Sequence, residues 1–133
     1  MKRLKVLLRG ILKNARIAAN FDPRTKDGQI TKIIDKYGRT LSPEEYQLLI
    51  DYNWVWQLEI TVHRTDDNGW VRSSVYEIIN RDSPCSLDKL RDHVDACVND
   101  HEEDHEGFVT TRVDWIAKCI GGDNKPRKSN GNT

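Results

Sequence analysis

Trp54-Val55-Trp56-Gln57-Leu58-Glu59-Ile60-Thr61-Val62 is the stretch whose reading decides the fold. Trp54, Trp56, Leu58, Ile60 and Val62 alternate without interruption. Gln57, Glu59, Thr61 and His63 take the other parity. A period of two over this length predicts a strand with one buried and one solvated face. Asp66-Asp67-Asn68-Gly69 follows, and Asn-Gly accepts the positive φ that a tight hairpin needs. Trp70 to Ile79 is then the return strand.

Downstream, Ser83-Pro84 or Ser86 caps a helix whose buried face is Leu87, Leu90, Val94, Cys97 and Val98. The acids that follow oppose the helix macrodipole, so the helix is expected to stop near Asn99. Phe108 to Ile120 reads as the last strand, with Val109, Thr111, Val113, Trp115 and Ala117 inward. Upstream, Ser42-Pro43-Glu44-Glu45 is a capping box with Pro at N1 and starts a helix that runs to about Asp51. Two further helices are expected before it. The first spans 3–19, with Leu4, Leu8, Ile11, Ala15 and Ala18 on one face. The second carries Ile30, Ile33, Ile34 and Tyr37 and is closed by Gly38. The expected class is α+β: N-terminal helices, then a β-β-α-β body with a small antiparallel sheet and one packed helix. The expected division is a basic helical region at 1–40, the body at 41–120 and a disordered tail at 121–133.

The 133 residues suffice for one core. At 37% hydrophobic and 32% charged, that core is thin and the surface is strongly charged. No apolar run approaches the ~20 residues of a membrane helix. Met1-Lys2-Arg3-Leu4-Lys5 resembles a signal-peptide start, but Arg9 interrupts the apolar stretch and no cleavage site follows, so a cytoplasmic protein is expected. Cys85, Cys97 and Cys119 are odd in number and unpaired in spacing, which argues for free thiols in a reducing compartment.

The zero net charge hides a split. Residues 1–40 hold eleven bases against three acids, a net +8, so the other 93 residues carry −8. Residues 82–106 hold nine acids against Lys89 and Arg91. Two surfaces follow: a basic stripe of Lys5, Arg9, Lys13 and Arg16, and an acidic surface of Asp92, Asp95, Asp100, Glu102, Glu103, Asp104 and Glu106. Trp70, beside the turn, is the tryptophan expected at the surface, where aromatic residues anchor interfaces.

His101-Glu102-Glu103-Asp104-His105 matches H-E-x-x-H. On a helix the two His can share zinc, with Glu102 as general base. A convincing third ligand is missing: of the downstream acids Glu106, Asp114 and Asp123, only Asp123 lies at a plausible separation, in the expected tail. His93, Cys97, His101 and His105 also recur every four residues, but span too many turns to wrap one ion. The helices on either side of Gly38 invite a helix-turn-helix reading, although Glu44 and Glu45 would meet phosphates with the wrong sign. There is no phosphate-binding loop, dinucleotide fingerprint or nucleophile elbow.

Gly107-Phe108-Val109-Thr110-Thr111-Arg112-Val113 resembles the last strand of small phage-encoded inhibitors of bacterial RNA polymerase, which combine a three-stranded sheet with one helix. Certain anti-CRISPR proteins similarly place a basic helix before such a body. The resemblance spans residues 54–119 and implies an inhibitor of a host nucleic-acid enzyme; no functional residue carries over from it.

The charge split predicts a non-enzymatic protein-binding protein, an inhibitor or adaptor, without cofactor or metal. Its acidic surface would occupy a partner's nucleic-acid channel. A nucleic-acid binder using residues 2–16 is the first alternative. A small zinc metallopeptidase using His101 and His105 is the second. The amphipathic first helix also points to a homodimer.

Overall fold

In the computed structural model, residues 12–23 and 27–126 are described. They form β1 (Arg16–Asp22), β2 (Asp27–Ile34), α1 (Pro43–Asp51), β3 (Tyr52–Thr65), β4 (Val71–Ile79), a 3-10 turn (Leu87–Lys89), α2 (Leu90–Asp104) and β5 (Val109–Pro126). The five strands make one antiparallel sheet in the order β2-β1-β5-β3-β4. The helices cover one face: Trp54 Nε1 donates to the Leu48 carbonyl of α1, and the Tyr76 ring meets His101 of α2. On the other face Arg16, Lys32, Gln57, Glu59, Val75, Glu77, Arg112 and Ile116 are exposed.

The decisive strand behaves as its alternation requires. Trp54, Trp56, Leu58, Ile60 and Val62 are all buried, joined by Ile17, Ala19 and Phe21 of β1 and by Val113, Trp115, Ala117 and Cys119 of β5. The hairpin turn forms at Asp66–Gly69, with Gly69 at φ 82°. Asp66 locks it by accepting from the backbone N–H groups of Asn68 and Trp70. Burial works to raise the Asp66 pKa, but these bonds and Arg72 prevail and hold it below the usual range. The capping box at Ser42 also forms: its Oγ accepts from the Glu45 N–H at 3.2 Å, and Glu45 Oε1 accepts from the Ser42 N–H at 2.7 Å.

The N-terminal third is not helical as expected. Residues 3–11 lie outside the described residues. Residues 16–19, read as the end of the first helix, open β1, and Ile30 to Ile34 of the expected second helix lie in β2. The reason is a competing period. Ala15, Ile17, Ala19 and Phe21 alternate, and all four are buried. Their pairing partner is rich in β-branched residues, Ile30-Thr31-Lys32-Ile33-Ile34. Asn14, at φ 75°, turns the chain into β1, and its N–H bonds the Cys119 carbonyl. Gly38 closes a turn, not a helix: Asp35 Oδ1 accepts from the N–H groups of Tyr37 and Arg39. The first of the bonds that lower the Asp35 pKa is the one from Arg39. A helix-turn-helix is therefore ruled out at this position.

Three further boundaries differ. α2 continues to Asp104, beyond Asn99, because His101 is a buried apolar-face residue that prolongs the amphipathic stripe by a turn. At the start of β5 Thr110, not Val109 or Thr111, is buried, and the expected parity resumes at Val113, since the register slips between His63 and Arg64. The tail expected to be disordered from Gly121 pairs with β3 as far as Pro126. The proposed boundary at residue 40 also falls inside one sheet, since β1 hydrogen-bonds to β5.

Candidate binding surface

The 3-10 turn Leu87–Lys89 leads into α2 and is preceded by Ser86, whose Oγ donates to the Asp88 carboxylate. Leu90, Val94, Cys97, Val98 and His101 recur at three and four, and are buried against the sheet. Everything that projects from the remaining arc is solvated. Asp92, Asp100, Glu102, Glu103, Asp104 and Glu106 are exposed, and Asp95 is half-buried. The helix thus gathers six of the seven residues of the predicted acidic surface, four of them expected in a loop, and Glu106 lies just beyond its end. Within Leu90–Asp104 six acids face one arginine, a net −5 when the histidines are neutral. Fifteen residues make about 22 Å of helix. That is one net negative charge per ~4.5 Å, against ~3.4 Å along one DNA strand.

The helix is anchored firmly enough to present this face as a rigid body. The Arg91 guanidinium lies 3.6 Å from the centre of the Phe21 ring and binds Asp95 at 3.1 Å. Gly28 makes this possible, because a Cβ there would sit 2.0 Å from Arg91 Nη1. Beneath the start of the helix, Trp54 and Cys85 exchange backbone hydrogen bonds, and Trp56 Nε1 donates to the Cys85 carbonyl at 3.0 Å. Asn80 ties the two segments: its Oδ1 accepts from the Trp56 N–H at 2.6 Å, while its Nδ2 donates to the Ser83 carbonyl and faces Cys85 Sγ. The three cysteines are free and buried, and burial pushes the Cys85 and Cys119 thiols up to about 12.

His101 and His105 sit in the last turn and cap of α2, but their geometry suits packing more than chelation. The rings stack with centroids 4.1 Å apart at 23°. Ligand lone pairs lie in the ring planes, so near-parallel rings do not converge on one ion at the ~2.0 Å that zinc requires. His105 Nδ1 donates to the His101 carbonyl, and His101 Nδ1 lies 2.5 Å from the Tyr76 hydroxyl. Asp114, one of the downstream acids, lies on the other sheet face, bonded to His63 and Arg112. Among the described residues no group of three metal-binding side chains assembles.

His101 is itself informative about stability. It is 1% exposed, and its Nε2 has no hydrogen-bond partner among the described residues. Burial first, then His105 and Arg64, lower its pKa from 6.5. The folded state therefore resists protonation that the unfolded state accepts. The sign follows: His101 imposes no penalty above pH 6.5, and stability declines as pH falls below 6.5 toward its lowered folded value. Denaturant titrations from pH 7.5 to 5 are expected to show this decline, and His101→Phe is expected to remove that component.

The basic stripe is redistributed. Lys5 and Arg9 lie outside the described residues. Lys13 is exposed in the turn before β1, and Arg16 is exposed on the open sheet face. There Arg16 sits directly opposite Lys118 of β5, with Lys32 of β2 in the next row. Lys32 and Lys118 were not anticipated in this patch; strand parity reveals them once β1 and β2 are assigned. Trp70 is exposed, as expected. Lys13 and Arg16 do not share a helix face, and the acidic and basic patches lie on opposite sides of the sheet.

Comparison with protein-family models, curated proteins and solved structures gives no match to this chain. No helix among the described residues is long and apolar enough to cross a membrane.

Proposed function

We propose that the protein is a non-enzymatic, cytoplasmic binding protein, an inhibitor or adaptor of the phage-encoded type, whose α2 face docks on a basic surface that otherwise holds nucleic acid. One observation carries this reading: the extension of α2 to Asp104 keeps Asp100, Glu102, Glu103 and Asp104 in its last turns, all exposed on the side of the helix away from the sheet, with Asp92 exposed two turns earlier. Averaged over its length, the helix carries net charge of the same order as a nucleic-acid strand, concentrated at its C-terminal end, so a channel built for phosphates would find a comparable potential there.

A second detail supports it. Glu102, Glu103 and Asp104 stand in the last turn, where the helix dipole disfavours carboxylates by roughly 0.3–1 kcal/mol each. Folding gains nothing from them there, whereas a basic partner would. The expected result is that the tagged protein captures a defined protein from nuclease-treated bacterial lysate, and that excess heparin displaces it. A captured protein that heparin leaves in place would contradict the polyanion-like mode of binding.

The patch of Arg16, Lys32 and Lys118 favours a second reading, direct nucleic-acid binding through the open sheet face. Among the described residues that face carries no Phe, Tyr or Trp, so contact would rest on phosphate charge and weaken steeply with salt.

A further inference from the structure

β4 is an edge strand whose only charges are Arg72, tied to Asp66 of the turn, and Glu77. Its register against β3 runs unbroken from Val71 to Ile79, with no bulge, and it holds no proline and no lysine. The opposite edge differs: β2 faces a bulge at Ala18/Ala19, carries Lys32, and is continued by the Ile34–Thr40 bridge. Along β4, Val71, Val75 and Ile79 share the open face at every fourth residue, 68%, 60% and 45% exposed. Ser73 and Glu77 lie between them.

From this spacing we infer that β4 pairs with β4 of a second copy of this chain, antiparallel about a two-fold axis through Val75, to give a continuous ten-stranded sheet. The pattern is self-complementary in that register. Val75 meets Val75, Val71 meets Ile79, and Ser73 meets Glu77. A slip of two residues either way breaks it, because Val71 or Val75 then faces Glu77. A slip of four restores apolar pairs in one direction only by giving up nearly half of the strand, and in the other sets Glu77 against Glu77.

Charge points the same way. Within one chain Glu77 lies directly across from Glu59, a like-charge pair on the open face. Across the axis Glu77 instead meets Ser73, whose Oγ is 2.7 Å from His63 Nδ1, while His63 Nε2 is 2.9 Å from Asp114. The second copy thus sets a neutral hydroxyl, already bonded to His63, beside Glu77 rather than another carboxylate. This inference is independent of the acidic face of α2.

Sedimentation equilibrium of the full chain is expected to give twice the 15.4 kDa chain mass. Val75→Lys, which sets two ammonium groups against each other on the axis, is expected to weaken association at least tenfold with an unchanged circular dichroism spectrum. The register has its own test. The native cysteines are buried, so an introduced surface cysteine is the accessible one. Val75→Cys is expected to cross-link to itself with a short bis-maleimide. Ser73→Cys is expected to cross-link only when mixed with Glu77→Cys. A monomer at about 100 µM, or a dimer that Val75→Lys leaves intact, overturns the inference. So does a monomer that takes up a foreign extended peptide along β4.

Discussion

Asn80→Ala is expected to destabilise the fold by about 3 kcal/mol and to lower the melting temperature by about 10 °C, although Asn80 follows the end of β4 and touches no proposed partner surface. Asn80 is 4% exposed. Its side chain serves the Trp56 N–H, the Ser83 carbonyl and Cys85 Sγ together. Removing it leaves the buried Trp56 N–H without its acceptor, which costs roughly 1–3 kcal/mol. It also opens a small void beside Trp54 and Trp56, adding to the loss. The consequence reaches α2, because the segment from Asn80 to Leu87 sets where that helix begins. Asn80→Asp keeps the acceptor for Trp56 but loses the Nδ2 donor, so it is expected to recover part of the stability. Chemical denaturation of both variants checks the order.

The second large effect separates stability from binding. Glu102→Gln, Glu103→Gln and Asp104→Asn, made together, are expected to raise stability by about 1–3 kcal/mol at low salt, because three carboxylates leave the negative end of α2. The same triple variant is expected to lose about 100-fold in affinity for the captured partner. Interfacial charge pairs of even ~1 kcal/mol each would suffice for that loss. A surface whose removal helps folding and harms binding is one that folding does not explain. The check pairs a melting curve with a titration of the partner.

These expectations bear on how much of the molecule its sequence discloses. The β3–turn–β4 hairpin is legible because Trp54 to Val62 alternates over nine residues and Asn68-Gly69 has one good use. α1 is legible because Ser42, Pro43 and Glu45 each answer a different unmet need of a helix start. β1 is not, because Ala15 and Ala18 fit a helical face while Ala15, Ile17, Ala19 and Phe21 fit a strand. Small residues satisfy both, and only pairing with β5 decides. β2 misleads for the same reason: Ile30, Ile33 and Ile34 sit at helical spacing, yet β-branching and a neighbouring strand prevail. The acidic surface is legible as a composition but not as a shape. The end of α2 depends on His101 being packed against Tyr76, a contact between residues 25 positions apart. The Arg16–Lys118 patch joins residues from two ends of the chain and needs the sheet order before it exists at all.

The central claim is that the acidic face of α2 is the working surface. The most direct measurement is a side-by-side capture from nuclease-treated lysate with three forms of the tagged chain: unmodified, Glu102→Lys/Glu103→Lys/Asp104→Lys, and Arg16→Glu/Lys118→Glu. The account predicts that the unmodified chain and the Arg16/Lys118 variant retain the same protein, and that the α2 variant, folded by circular dichroism, retains none. Retention by the α2 variant with loss by the Arg16/Lys118 variant would contradict it and move the function to the open face of the sheet.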